Sequence, residues 1–415
     1  MDYTIWLIIG GASAIAFYMA WSIGANDVAN SMATAVGAKA ITHRQAVLIA
    51  GVLVFLGAVL VGPHVAQTIK SEIIKVESIQ SIHSNLVLIL GFISALLAAA
   101  IWSTLSTWKE MPISTTHSII GALMGFGIIV GGVSSVNWLK IGSVAASWIL
   151  SPVVGCIITF FVFKIIVKLI FAKEEPVSAA KIVGPIIIGI TGLIVTASLL
   201  FKTKISEDYN ISDFQGLLIS IIVAIIIALI AIILLRKIQA KKVEDYYTVE
   251  NIFRNLQVGT SCYVAFSIGA NDVANAIGPV AGIIPLAENG VLSSEASIPF
   301  ALLLLGGLGI AFGAMTWGKR VMKTVGERIT SLSNTRGFSV DFGAATTVLL
   351  ASKLGMPIST SHTVVGAVIG VGLARGLEAI DLSVIKKIII SWLLTLPIAA
   401  GTSIVIFLLL RTIFV

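Results

Sequence analysis

Residues Ser22 to Asn30 read SIGANDVAN, and residues Ser267 to Asn275 read SIGANDVAN again without a change. A second string, MPIST, stands at Met111 to Thr115 and returns at Met356 to Thr360. Both recur 245 residues on, and two separate strings hold one spacing over that distance only when a whole unit has been duplicated. Each copy sets the same polar residues into apolar sequence: Asn26, Asp27 and Asn30 in the first, Asn271, Asp272 and Asn275 in the second.

The sequence around them identifies the solvent. Of 415 residues, 57% are hydrophobic and 11% charged, and mean hydropathy is +1.04, a composition that belongs in a lipid bilayer. At about 20 apolar residues per crossing, the chain divides into twelve predicted spans. They lie near 5–33, 46–62, 86–104, 112–131, 141–163, 182–201, 214–235, 257–282, 298–317, 338–354, 357–374 and 388–410. The expected fold is an all-α polytopic membrane protein, with some spans readable as half-helices or re-entrant hairpins. The formal charge of +7 sits on Lys and Arg in a few loops, which suits membrane orientation and not a nucleic-acid-binding face.

Loops bearing Lys39 with Arg44, Lys164 to Lys181, Arg236 to Arg254, Lys319 to Arg336 and Arg375 to Lys387 all fall on one side of this count, which marks that side as cytoplasmic. The loops at 63–85, 202–213 and 285–297 carry at least as many acids as bases, so both termini are expected outside a plasma (cell inner) membrane. The opening MDYTIWLIIG has an acid and no base before its apolar run and reads as a first helix, not a cleaved leader. The polar break from Ile238 to Asn255 reads as a cytoplasmic linker. This gives a first repeat at 1–170, an intervening pair of spans with the linker at 171–255, and a second repeat at 256–415. The inside loop near Lys39 to Arg44 corresponds to an outside loop near Glu288 to Glu295, so the repeats are expected to be inverted, an arrangement of secondary transporters with a shared site near the midplane.

From Ile5 to Lys39 an unbroken helix would be roughly 50 Å long against a hydrocarbon core of about 30 Å. The reading therefore predicts a break at Gly24 with Asn26 and Asp27, and again at Gly269 with Asn271 and Asp272. A carboxylate at membrane depth marks a functional site; a helix cap alone would be served as well by Ser or Thr. Asn30 and Asn275 stand three residues after each acid on the same helical face. Asp27, Asn30, Asp272 and Asn275 thus form hard-oxygen cation ligands, best matched by sodium as coupling ion, with no further cofactor. After Pro112 and Pro357 come Ser114, Thr115, Thr116 and Ser359, Thr360, Ser361. These are helix starts whose free N–H groups and hydroxyls, together with Asn26 and Asn271, suit an oxyanion; the plainer alternative is capping and small-residue packing.

His117 and His362 occupy matching positions, where hydrogen-bonded packing stands ahead of a proton relay or anion contact. His43, His64 and His83 lack metal-site spacing, and Cys156 and Cys262 read as buried small hydrophobes. No Lys or Arg recurs in both motif copies, so an oxyanion beside two aspartates must bring cations or protons with it, which is symport. Nucleotide loops, metal clusters and nucleophile constellations do not stand out, so an enzyme is not expected. A channel, the reading from another class, requires a continuous polar path.

The duplicated GANDVAN strings and the runs MPISTTHS and MPISTSH resemble the signatures of the inorganic phosphate transporter family, the sodium- or proton-coupled PiT proteins, across both halves. The resemblance implies twelve membrane segments in inverted repeats, phosphate held between the hydroxyl motifs and the Asn-Asp pairs, and a homodimer. SMATAVGA follows the first GANDVAN and AIGPVAGI the second, so the half-sites are unequal. The family divides between sodium coupling, proton coupling with metal-phosphate complexes, and sulfate transport, and these alternatives stay open here.

Overall fold

The computed structural model describes residues 3–69, 73–74, 84–202, 209–237, 245–290, 298–353 and 358–415. Twelve long helices carry this part of the chain. The first six are α1 (Tyr3–Gly37), α2 (His43–Ile69), α3 (Asn85–Trp108), α4 (Thr115–Gly131), α5 (Trp138–Ile166) and α6 (Pro176–Lys202). The others are α7 (Asp213–Arg236), α8 (Asp245–Asn289), α9 (Phe300–Trp317), α10 (Asn334–Lys353), α11 (Thr360–Arg375) and α12 (Leu382–Phe414). Among the described residues the only β-pairing is an isolated bridge between Ile74 and Val136. Met356, Pro357, His83 and residues 238–244 of the expected linker lie outside the described residues, as does the side chain of His64.

The predicted spans fall on these helices one for one. Eight helices among the described residues are long and apolar enough to cross a membrane; the other four are α4, α8, α10 and α11. Of these, α4 and α11 are short, at 17 and 16 residues, while α8 and α10 are diluted by acids, amides and hydroxyls. Helix α4 is apolar but short, while α8 and α10 carry buried acids and hydroxyls inside.

The duplication is visible in the helices themselves: 245 residues on, α1 and α5 fall within α8 and α12, and α3 and α4 overlap α10 and α11. Packing exchanges partners between the copies. Helix α1 packs on α9 and α2 on α8, while α4 packs on α12 and α5 on α11. Within the first copy α1 also packs on α3, and α3 on α4.

Glycine makes these exchanges tight. A Cβ at Gly24 would fall on the Ile310 carbonyl of α9, and one at Gly313 on the Trp21 carbonyl of α1. The second crossing repeats the pattern, with Gly269 against Val54 O and Gly57 against Phe266 O. Small residues let helix backbones approach closely in lipid, where association depends on van der Waals contact. Gly24 and Gly269 keep the 245-residue offset, whereas Gly57 and Gly313, like Val54 and Ile310, are 256 apart. The second helix of the unit is therefore displaced by eleven residues in sequence while its contact is kept.

This overturns the predicted break. Helix α1 is one α-helix of 35 residues and α8 one of 45, both continuous through GAND. Gly24 and Gly269 supply close approach, not bending, and Asn26 bonds to a neighbouring helix, not to its own backbone. The linker is also shorter than expected, because 245–255 already belongs to α8. There Glu250 is buried and accepts hydrogen bonds from Ser333, from the Thr335 hydroxyl and from Thr335 N, closing the start of α10.

Gly24→Ala and Gly269→Ala should each destabilise the protein by about 1–3 kcal/mol through overpacking. Gly10→Ala, where nothing lies within 4 Å of the added carbon, should be neutral. Thermal unfolding in detergent checks this; equal midpoints for Gly24→Ala and Gly10→Ala would show that the crossing yields.

Candidate functional site

The two hydroxyl motifs open α4 and α11 in the same way. Ser114 and Ser359 hold extended backbone before each helix, and their side chains accept from His117 N and His362 N, both at 3.3 Å. Each hydroxyl keeps its own O–H to donate. The helix starts meet in the interior, with the His117 and His362 rings edge to face at 4.9 Å between centroids. Trp148 packs on the first ring at 4.6 Å and Trp392 stacks on the second at 3.7 Å. The histidines are packing residues here, set behind the hydroxyls.

Around Asp27 the motifs of both copies come together. Thr115 Oγ1 donates to Asp27 Oδ2 at 2.6 Å, and Asn30 Nδ2 donates to Asp27 Oδ1 at 3.1 Å. From the other copy, Ser361 Oγ lies 3.3 Å from Asp27 Oδ1 and 2.8 Å from Ile113 O, and it accepts from Asn30 Nδ2 at 2.8 Å. The Asn30 to Ser361 bond has a counterpart 245 residues away, Asn275 Nδ2 to Thr116 Oγ1 at 3.0 Å. Each asparagine therefore reaches across to the hydroxyl motif of the other copy.

The acids are unequal. A carboxylate at the centre of a membrane helix costs about 2.5–3.5 kcal/mol on insertion scales, and hydrogen bonds to a charged group return about 1.5–3 kcal/mol each. The donors around Asp27 can offset that cost. Asp272 is also buried and within Coulombic reach of Asp27, but its Oδ2 has no protein partner. A carboxylate oxygen buried without a donor is open to a cation or a proton.

The remaining predicted residues divide. Asn26 is fully engaged with protein: its Nδ2 donates to Thr107 Oγ1 and Met111 O, and its Oδ1 accepts from Ile113 N. It holds the turn between α3 and α4 in place. Asn271 and Thr360 line a small cavity of about 20 Å³ beside α10, near the room one water needs.

One acid escaped the sequence reading. Asp341 of α10 is buried and accepts from Thr34 at 2.8 Å, Ser261 at 2.6 Å and Thr260 at 3.2 Å, so α1, α8 and α10 converge on it. The matching residue 245 positions earlier is Leu96, so this acid has no counterpart in the repeat. An acid inside an otherwise apolar predicted span was the available signal.

Comparison with known proteins bears on this arrangement. The model of the phosphate transporter family matches residues 23–403. A "Putative phosphate permease" of Pyrococcus abyssi is 49% identical over 408 residues, covering 98% of each chain. "Inorganic phosphate transporter 2-1, chloroplastic" of Arabidopsis thaliana is 38% identical over 414 residues, covering 94% of this chain and 70% of its own. A solved structure described as "The sodium-dependent phosphate transporter" is similar with a TM-score of 0.88 at 45% identity, over 98% of this chain and all of the other.

Asn26→Ala removes three bonds that fix the α3–α4 turn and should lower stability by about 1–3 kcal/mol, since it leaves Ile113 N and Met111 O without that partner. Thermal unfolding measures the loss; an unchanged midpoint would show that the turn is held without Asn26.

Proposed function

The chain belongs to the phosphate transporter family, and from that premise we propose that it imports inorganic phosphate by sodium symport, through alternating access to one site shared by two inverted halves. The observation that carries this reading is the reciprocal pair Asn30 to Ser361 and Asn275 to Thr116, which builds a single polar centre from both copies, with the free Asp272 oxygen beside it.

Opposed orientation has support from the helix ends. Arg254, early in α8, donates to Ala40 O just after α1, and Asn85, at the start of α3, donates to Gly290 O just after α8. The end of α1 thus lies beside the start of α8, as in two units of opposite sense. The ends of α3 and α11 gather near 319–331 through Thr324 to Glu110 O and Arg375 to Ser331. Together with Lys39, Arg44 and Arg254 this is the basic face, assigned to the cytoplasm, with both termini outside a plasma membrane and the protein a homodimer.

Roles follow from chemistry. Asp27, Asn30, Asp272 and Asn275 ligate sodium. Thr115, Thr116, Ser361, Thr360, the hydroxyls of Ser114 and Ser359, and Asn271 hold phosphate, whose charge is balanced by the bound ions because no Lys or Arg recurs in the motifs; Asn26, expected among these, spends its donors on Thr107 and Met111 and braces the turn instead. Asp341 with Thr34, Thr260 and Ser261 offers a further set of oxygens on the same line of α1, one turn past Asn30. Sodium suits these oxygen-rich surroundings better than a proton, which needs no coordination shell, and the name of the solved relative agrees.

Radiolabelled phosphate uptake into proteoliposomes tests the reading. A sodium gradient should drive uptake that saturates, that sulfate does not compete for, and that Asp27→Asn and Asp272→Asn each abolish while the protein remains folded. Asp341→Asn should raise the sodium concentration for half-maximal uptake severalfold more than that of phosphate. Uptake driven only by a proton gradient would make the acids protonation sites, and competition by sulfate would change the anion.

A further inference from the structure

Helix α1 ends in a turn that favours glycine but uses lysine. Ala40 N donates to Ala35 O and Lys39 N to Val36 O, the paired bonds of a Schellman cap, and Lys39 takes the left-handed position with φ of 59°. Side chains other than glycine pay roughly 1–2 kcal/mol there, and a strained residue kept in place points to use. The turn opens on a cavity of about 380 Å³ lined by Lys39, His43, Gln45, Arg254 and Glu327.

The groups around this cavity are built for an anion. Arg254 is anchored by its Nε at 2.9 Å from Ala40 O, one of its five donors. His43 Nε2 is buried without a hydrogen bond, 3.9 Å from Glu327 Oε1. Lys319 and Lys323 add to the positive field at His43. Glu327 alone among the lining residues carries negative charge, which keeps the site weak enough to release what it holds.

We propose that this cavity is a second anion site, separate from the Asp27 centre, that binds a phosphate group through Lys39, Arg254 and His43. Free inorganic phosphate and the phosphate of a lipid headgroup share the chemistry it recognises. Asp27, Asn30 and Thr34 follow one face of α1 toward it, so for a transported anion it is a release station; that role rests on the transport reading, while the binding does not.

The test uses the full chain in phosphatidylcholine nanodiscs and equilibrium binding of labelled orthophosphate without sodium. A salt-sensitive component should appear that weakens about tenfold in Lys39→Gly and in Arg254→Gln and tightens severalfold in Glu327→Gln. Lys39→Gly should melt no lower than wild type, since glycine relieves the turn, so its loss of binding cannot be unfolding. Phosphatidylglycerol retained in native mass spectra, displacing orthophosphate and lost in Lys39→Gly, would identify the lipid headgroup as occupant. Wild type and both basic variants binding orthophosphate and phosphatidylglycerol alike would overturn the proposal. Failure of the transport reading would show separately, as absence of any sodium-dependent component while the sodium-independent one persists.

Discussion

Two acids on two different helices can share one point inside a membrane only if the backbones around them come close enough to shut out lipid. Gly24 with Gly313, and Gly57 with Gly269, meet that requirement by placing bare backbone against the carbonyls of α1, α2, α8 and α9. The crossings seat α1 and α8, the two helices that carry the paired acids. A methyl group at any of the four would meet backbone of the facing helix and shift α1 or α8, which carry the cross-copy amide bonds of about 3 Å.

With lipid excluded, polar groups satisfy one another. Thr115, Asn30 and Ser361 donate to Asp27, and Thr34, Ser261 and Thr260 donate to Asp341, so hydroxyls and amides do the work that water does elsewhere. Asp272 breaks the pattern with an oxygen that no protein group meets. The two halves are alike in sequence at this point and unlike in bonding: Thr115 donates to Asp27, while the matching Thr360 leaves Asp272 Oδ2 unmet. The centre is therefore a pair of related but unequally bonded halves.

Much of this was legible in the sequence because duplication marks its own functional residues. The helices lie where apolar length placed them, and Asp27, Asn30, Thr115, Thr116, Asn275 and Ser361 come together as their spacing suggested. Glycine was misread, since a missing Cβ looks the same in sequence whether the chain bends there or a neighbour presses against it. Asp341 was missed because its counterpart is Leu96 and it has no partner in the repeat. The role of Asn26 and the cap that Glu250 gives α10 depend on contacts 81 and more residues away, which no local pattern contains.

The exchange of partners between the copies bears on how such a chain arose. A single ancestral unit would have kept the contact of its first helix with α3 but lost the closer packing on α8 and α9, which belong to the second copy. Such a unit would have recovered that packing as a pair of separate chains, at a concentration in the membrane high enough for them to meet. Joining the genes placed both partners on one polypeptide and replaced that encounter with an effective concentration set by the connecting helices. Once the pair could no longer part, one acid was free to arise in α10 without a matching change in α3.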